Sequence, residues 1–211
     1  MENIKEKKCK VVFLGDKNVG KTSIIYQYIN KTFLTNCRPT FSASFYRKSL
    51  VIKGINVIFD IWDTAGEESY RSLTKIFLKN AKICVFVYDM TNIDSFNNIK
   101  GIWYKYVLEN VDKDDIMFVI VGNKNDLIDK QEVETQNVIL YAKEIKAIFD
   151  EINALDYNSV NNLIEKIAEK YVDSLDNKSS SSNNNSILIN ETSTGKSSSS
   201  ISFKNQHKSC C

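Results

Sequence analysis

The stretch Lys10-Val11-Val12-Phe13-Leu14-Gly15-Asp16-Lys17-Asn18-Val19-Gly20-Lys21-Thr22-Ser23 passes from a mostly apolar strand into a glycine-bounded loop, and residues 21–29 then read as helix. Gly15 to Thr22 fit the pattern G-x-x-x-x-G-K-[ST], with the strand before and the helix after that the pattern requires. Gly15 and Gly20 let the backbone wrap a phosphate chain, and the amides of Asn18, Val19, Gly20, Lys21, Thr22 and Ser23 point inward at a helix N-terminus. Lys21 is placed to pair with β and γ phosphate oxygens, and Thr22 to ligate Mg²⁺.

Outward from this loop, strand and helix periods alternate. Residues 10–14, 45–53, 56–62, 83–88, 116–121 and 147–151 read as strands, the second and third joined as a hairpin at Gly54. Helical spacing marks 70–80, 95–110, 133–145 and a final helix with Val160, Leu163, Ile164, Ile167, Ala168, Tyr171, Val172 and Leu175 on one stripe, capped by Asn158 or Ser159. The central strands are apolar on both faces. The expected fold is therefore α/β, a mostly parallel six-stranded sheet with helices on both faces and its ligand at the carboxyl ends of the strands.

Composition narrows the function. A chain of 211 residues with 43% hydrophobic, 26% charged and 11% aromatic residues suits one globular domain and a tail. Lys and Arg number 28 against 26 acids, so no global field steers nucleic acid. The longest apolar runs, 83–88 and 116–121, have strand length and do not span a bilayer. No apolar segment follows the basic N-terminus and Glu2 stands where myristoylation needs glycine, which reads as a cytosolic start. Cys9, Cys37 and Cys84 are scattered and Cys210 and Cys211 are adjacent, so a disulfide framework is not expected. Composition changes near Leu175, after which Ser and Asn tracts dominate. The reading is an extension over 1–7, a domain over 8–175, and a disordered tail over 176–211 with a root-mean-square reach on the order of 30–35 Å.

Two further motifs specify the ligand. Asp63 ends an apolar strand in Ile61-Trp62-Asp63-Thr64-Ala65-Gly66, where a carboxylate can hold Mg²⁺ through water, and Gly66 follows at the spacing of a γ-phosphate sensor. Asn123-Lys124-Asn125-Asp126 follows the fifth strand. The Asp126 carboxylate can accept from N1 and the 2-amino group of guanine, an arrangement adenine cannot satisfy, which points to GTP rather than ATP.

With these motifs in order, the sequence resembles the Ras superfamily of small GTPases, and within it the Rab family, over about 8–175. Tyr70-Arg71-Ser72-Leu73, Tyr88-Asp89-Met90-Thr91-Asn92, Ser95-Phe96 and Trp103 add to the likeness, and the Cys210-Cys211 end is similar to the Rab prenylation signal. The resemblance implies a P-loop GTPase G domain that cycles between GTP and GDP with Mg²⁺. It implies Thr40 as a switch I magnesium ligand, Phe33 stacked on guanine with the Lys124 stem on its other face, and the Ala154 amide toward the guanine oxygen. Phe45, Trp62 and Phe77 would form an effector-facing aromatic triad. The partners implied are an exchange factor, a GTPase-activating protein, a prenylation escort, a dissociation inhibitor and effectors. A monomer in vesicle trafficking is implied, held by prenyl groups on the cytoplasmic face of an internal membrane, Golgi or endosomal, with a soluble cytosolic pool; residues 11–23 look closest to Golgi-associated Rabs.

Departures from the family pattern carry their own expectations. Glu67 stands at the catalytic position where a glutamine usually orients the attacking water, and Lys17 at a position that is commonly small. Both flank the γ-phosphate in the family's geometry, which suggests an ion pair between them. Phe41-Ser42-Ala43-Ser44-Phe45 and Asn153-Ala154-Leu155 also differ from the usual residues. Two alternatives stand beside the switch: a hydrolysis-deficient module that keeps GTP bound and recruits effectors, and a P-loop phosphotransferase, which residues 123–126 and the terminal cysteines disfavour.

Overall fold

The alternation of strand and helix resolves into one sheet. In the computed structural model the described residues are 5–35, 40, 43–66 and 71–184. The strands are β1 (Lys5–Leu14), β2 (Ala43–Ile52), β3 (Ile55–Thr64), β4 (Ile83–Asp89), β5 (Met117–Asn123) and β6 (Ile148–Ile152). The helices are α1 (Lys21–Asn30), α2 (Arg71–Leu78), α3 (Ile93–Asn98), α4 (Tyr104–Leu108), α5 (Thr135–Glu144) and α6 (Tyr157–Asn184); a π-turn, Ile99–Trp103, joins α3 to α4. Strand order is β2-β3-β1-β4-β5-β6. Only β2 runs antiparallel, paired to β3 with Phe45 opposite Trp62, and the other neighbours are parallel.

Burial explains the order. Every residue of β4 is buried and β2 alternates between half-buried and exposed, as a central and an edge strand should. Val12, Leu14, Cys84, Phe86, Phe118 and Ile120 turn one way into a core with Phe96, Ile99, Trp103, Val107, Val138 and Ala142. Their neighbours Val11, Phe13, Val85 and Val87 turn the other way and are also buried, as are Ile24 and Ile25 of α1 and the α6 stripe from Val160 to Val172. Loops at the carboxyl ends of β1, β3, β5 and β6 carry the sequence motifs.

Several boundaries differ from the sequence reading. Residues 5–7, expected to lie in an N-terminal extension, belong to β1, because β3 runs far enough to pair Lys5 with Ile55 and Lys7 with Val57. The helix expected over 95–110 begins at Ile93, since the Asn92 side chain accepts from Ser95 N–H at 3.2 Å, and it is interrupted by the π-turn. Asp156 caps α6 in place of Asn158 or Ser159: its carboxylate accepts from the Asn158 and Ser159 N–H groups at 2.9 and 3.3 Å. The chain divides into two units, residues 1–174 and 175–211. In the second, residues 175–184 are helical where disorder was expected from 176, because extending a formed helix avoids the cost of nucleation. The rest of the tail, with Cys210 and Cys211, lies outside the described residues. No described helix is long and apolar enough to cross a membrane.

Candidate functional site

Local sterics shape the loop after β1. Gly15 has φ +140°, and a Cβ there would lie 2.2 Å from the Val87 carbonyl oxygen. Gly20 has φ +100°, and its Cβ would lie 2.1 Å from Asn123 Nδ2. Both positions exclude a side chain. Asn18 also takes a left-handed conformation, φ 63°, and Val19 is buried. No side chain caps α1 at Gly20, so the amides of its first turn, including those of Thr22 and Ser23, are available to an anion.

Lys21 is 5% exposed, and its Nζ donates to the Gly15 and Asp16 carbonyls at 2.8 Å each. Burial lowers its pKa to about 8 against the opposing pull of Asp63 and Asp16. A desolvated ammonium held this way gains strongly from a phosphate partner.

Beside it, Thr22 Oγ1 donates to Asp63 Oδ2 at 2.7 Å and lies 2.9 Å from Thr40 Oγ1. Asp63 is 1% exposed, and its Oδ1 has no hydrogen-bond partner among the described residues. Burial raises the Asp63 pKa, countered by the Thr22 hydrogen bond and by Lys21. One buried carboxylate with an unmatched oxygen and two hydroxyls form a hard oxygen donor set that fits Mg²⁺, which favours few protein ligands and completes its shell from phosphate and water. The described residues contain no cluster of three His, Cys, Asp or Glu side chains that would serve a protein-caged metal instead.

The base motif is welded to the loop. Asn123 Nδ2 donates to the Val19 carbonyl at 2.9 Å, and Asn123 Oδ1 accepts from the Ala154 N–H at 3.1 Å. The Ala154 amide, expected to face guanine, is engaged by Asn123 in this structure. Lys124, φ 71°, pairs through Nζ with the Asp89 carboxylate. Burial pushes Asp89 upward, but hydrogen bonds from Lys124 and from the Thr91 N–H and hydroxyl outweigh it and hold the carboxyl below its ordinary value. Asn125 anchors the motif on β6, its N–H donating to Ile152 O at 3.2 Å. The turn closes from Leu127 N–H to Lys124 O, leaving Asp126 exposed at its tip. Phe33 (39%) and Leu155 (51%) are exposed apolar side chains suited to a base.

On the remaining side, a Cβ on Gly66 would lie 2.4 Å from Asp16 C and Lys17 N, so its backbone packs directly against the loop. Glu67 lies outside the described residues, and with it the proposed pairing to Lys17. The rings of Phe45, Trp62 and Phe77 lie in a row: centroids are 5.3 Å apart for Phe45–Trp62 and 5.0 Å for Trp62–Phe77. Phe45 is 48% exposed, and Lys10 Nζ stands 5.1 Å from the Trp62 ring. Sequence reasoning missed the anchoring of Asp16 by Asn98 and Trp103, and the pairing of Asp89 with Lys124. Residues 88–92 and Trp103 had entered as family likeness with no role attached.

This site belongs to a P-loop protein that selects guanine nucleotides. The model of the Ras family matches residues 10–173, and the chain belongs to that family. Among relatives, human Ras-related protein Rab-22A is 36% identical over 161 residues, 76% of this chain and 82% of that protein. Ras-related protein Rab-7a of Paramecium octaurelia is 34% identical over 172 residues, 80% and 84% of the two chains. Ras-related protein RabJ of Dictyostelium discoideum is 32% identical over 163 residues, 77% of this chain and 63% of that protein. The chain is a Rab-like small GTPase. Members of the family bind guanine nucleotides, generally with Mg²⁺, and act through regulators and effectors.

Proposed function

We propose that this chain is a GTP/GDP switch in vesicle trafficking, acting on the cytoplasmic face of an internal membrane, Golgi or endosomal, to which prenyl groups on Cys210 and Cys211 attach it. The observation that carries the reading is the buried Asp63 oxygen without a partner beside the Thr22 and Thr40 hydroxyls, next to a desolvated Lys21. Thr22, Thr40 and Asp63 would hold Mg²⁺, which supplies charge neutralisation at the β and γ phosphates. Gly15, Asn18, Val19, Gly20, Lys21, Thr22 and Ser23 receive the phosphates. Phe33, Asn123, Lys124, Asp126 and Ala154 receive the base, with Ala154 sharing its N–H between Asn123 and the guanine oxygen.

Thr40 and Gly66 order their loops around the γ-phosphate, presenting Phe45, Trp62 and Phe77 to effectors; loss of that phosphate releases both loops. Glu67 lies at the catalytic position. A GTPase-activating protein completes hydrolysis, an exchange factor reloads the site, and a prenylation escort and dissociation inhibitor handle the lipidated end. The relatives favour this cycling switch over a module that keeps GTP bound.

The test is the nucleotide carried on purification, identified by chromatography after denaturation, followed by the fate of loaded GTP over hours with Mg²⁺. GDP on the purified chain and steady conversion support a cycling switch. Persistent GTP overturns it, and single-turnover rates in Lys17→Ala, Glu67→Gln and the double variant then assign the defect.

A further inference from the structure

Asp16 is an acid within a loop built to receive anions, and its charge is held from outside the loop. Its Oδ1 accepts from Trp103 Nε1–H and its Oδ2 from Asn98 Nδ2–H, both at 2.7 Å. The two donors are five residues apart, which on a regular α-helix places them about 140° apart around the axis. They reach one carboxylate because the turn between them is widened: the Tyr104 N–H donates to Ile99 O, five residues back, closing the π-turn Ile99–Trp103. On the inner side, the Asp16 carbonyl accepts from Lys21 Nζ at 2.8 Å, and the Asp16–Lys17 peptide is the one packed against Gly66.

We propose that Asn98 and Trp103 are positioning residues for the nucleotide: by fixing the Asp16 carboxylate they fix the Asp16–Lys17 peptide in the orientation that Lys21 and Gly66 both use. They also draw the carboxylate's charge away from the phosphates. Without them the peptide is free to tilt and the carboxylate to turn inward. A triphosphate suffers more than a diphosphate, because it carries the additional charge and needs Gly66. The inference rests on the loop being the nucleotide cradle, which retention of a fluorescent GDP by the wild-type chain tests separately.

The experiment measures release of fluorescent GDP and of a fluorescent non-hydrolysable GTP analogue from the full chain with Mg²⁺. Trp103→Phe keeps the ring and removes the N–H; Asn98→Ala removes the other donor. Each is expected to speed release of the GTP analogue by about tenfold and of GDP by less than about threefold. In an Asp16→Ala background, Trp103→Phe is expected to add nothing, since its partner is gone. Equal acceleration of both nucleotides, unchanged release of both, or a Trp103→Phe effect that persists undiminished beside Asp16→Ala overturns the proposal. Failure of the wild-type chain to retain GDP would overturn the cradle reading instead.

Discussion

Asn123 Nδ2 donates to the carbonyl of Val19 at 2.9 Å across 104 residues of sequence, joining the turn proposed to receive the base to the glycine-bounded loop after β1. Its other end accepts from Ala154 N–H, so one buried side chain ties together three loops at the carboxyl edge of the sheet. In the site proposed above, selection of the base and retention of the phosphates are thereby linked through one side chain.

Asn123→Ala leaves the Val19 carbonyl and the Ala154 N–H unpaired in a buried setting. The expected loss is about 3 kcal/mol of stability, read from thermal or urea unfolding of the nucleotide-free chain. A variant as stable as wild type would show that the tether is dispensable.

Gly20→Ala forces a Cβ to within 2.1 Å of the same Asn123 amide at φ +100°. The expected cost is roughly 2–3 kcal/mol from backbone strain, with the overlap added to it. Nucleotide content after purification should fall with it, and the clash predicts partial relief in Gly20→Ala combined with Asn123→Ala.

Lys21 gives a pH dependence of opposite sign for folding and binding. Its pKa is lowered to about 8 in the folded chain, so at higher pH the unfolded state binds more protons and the nucleotide-free fold gains relative stability up to the ordinary lysine value. Phosphate needs the ammonium, so GDP affinity should fall by up to about tenfold per pH unit once pH exceeds the folded pKa. Titration of GDP affinity from neutral to alkaline pH checks this. A profile that Lys21→Met leaves unchanged would assign the dependence elsewhere.

Asp63→Asn removes the charge beside the Thr22 and Thr40 hydroxyls, at the site proposed for Mg²⁺. GDP release from the wild-type chain should accelerate when Mg²⁺ is chelated, whereas the variant should release quickly from the start and respond little to chelator. Stopped-flow fluorescence separates the two.

Much of the site was legible because its chemistry is written in contiguous residues. Gly15 to Thr22 announces its own turn and helix, and the strands 83–88 and 116–121 are apolar on both faces, which fixes them at the centre of a parallel sheet. What stayed hidden depends on distant pairing. The start of β1 at Lys5 could be placed only by the length of β3 beside it. Asp156 as a cap was masked by polar neighbours equally able to serve. The Asp16 anchor spans 82 and 87 residues to Asn98 and Trp103, and the π-turn that makes it possible leaves no mark in the sequence, since buried Phe96, Ile99, Trp103 and Val107 keep the spacing of three and four that a regular helix shows.

The complete burial of β4 has a consequence during synthesis. Ile83–Asp89 is Ile-Cys-Val-Phe-Val-Tyr-Asp, a segment with no proline and a single charge at its end, the composition that stacks into intermolecular cross-β. On the emerging chain β1 is already present to cover one edge, but β5 begins only at Met117. Once β4 has emerged, and until β5 emerges beside it, the other edge of β4 is open to strands of neighbouring molecules. Soluble yield should therefore depend on how quickly the α3–α4 segment and β5 follow β4 out of the ribosome, and slowing the emergence of residues 90–123 should divert product into aggregates before the fold closes.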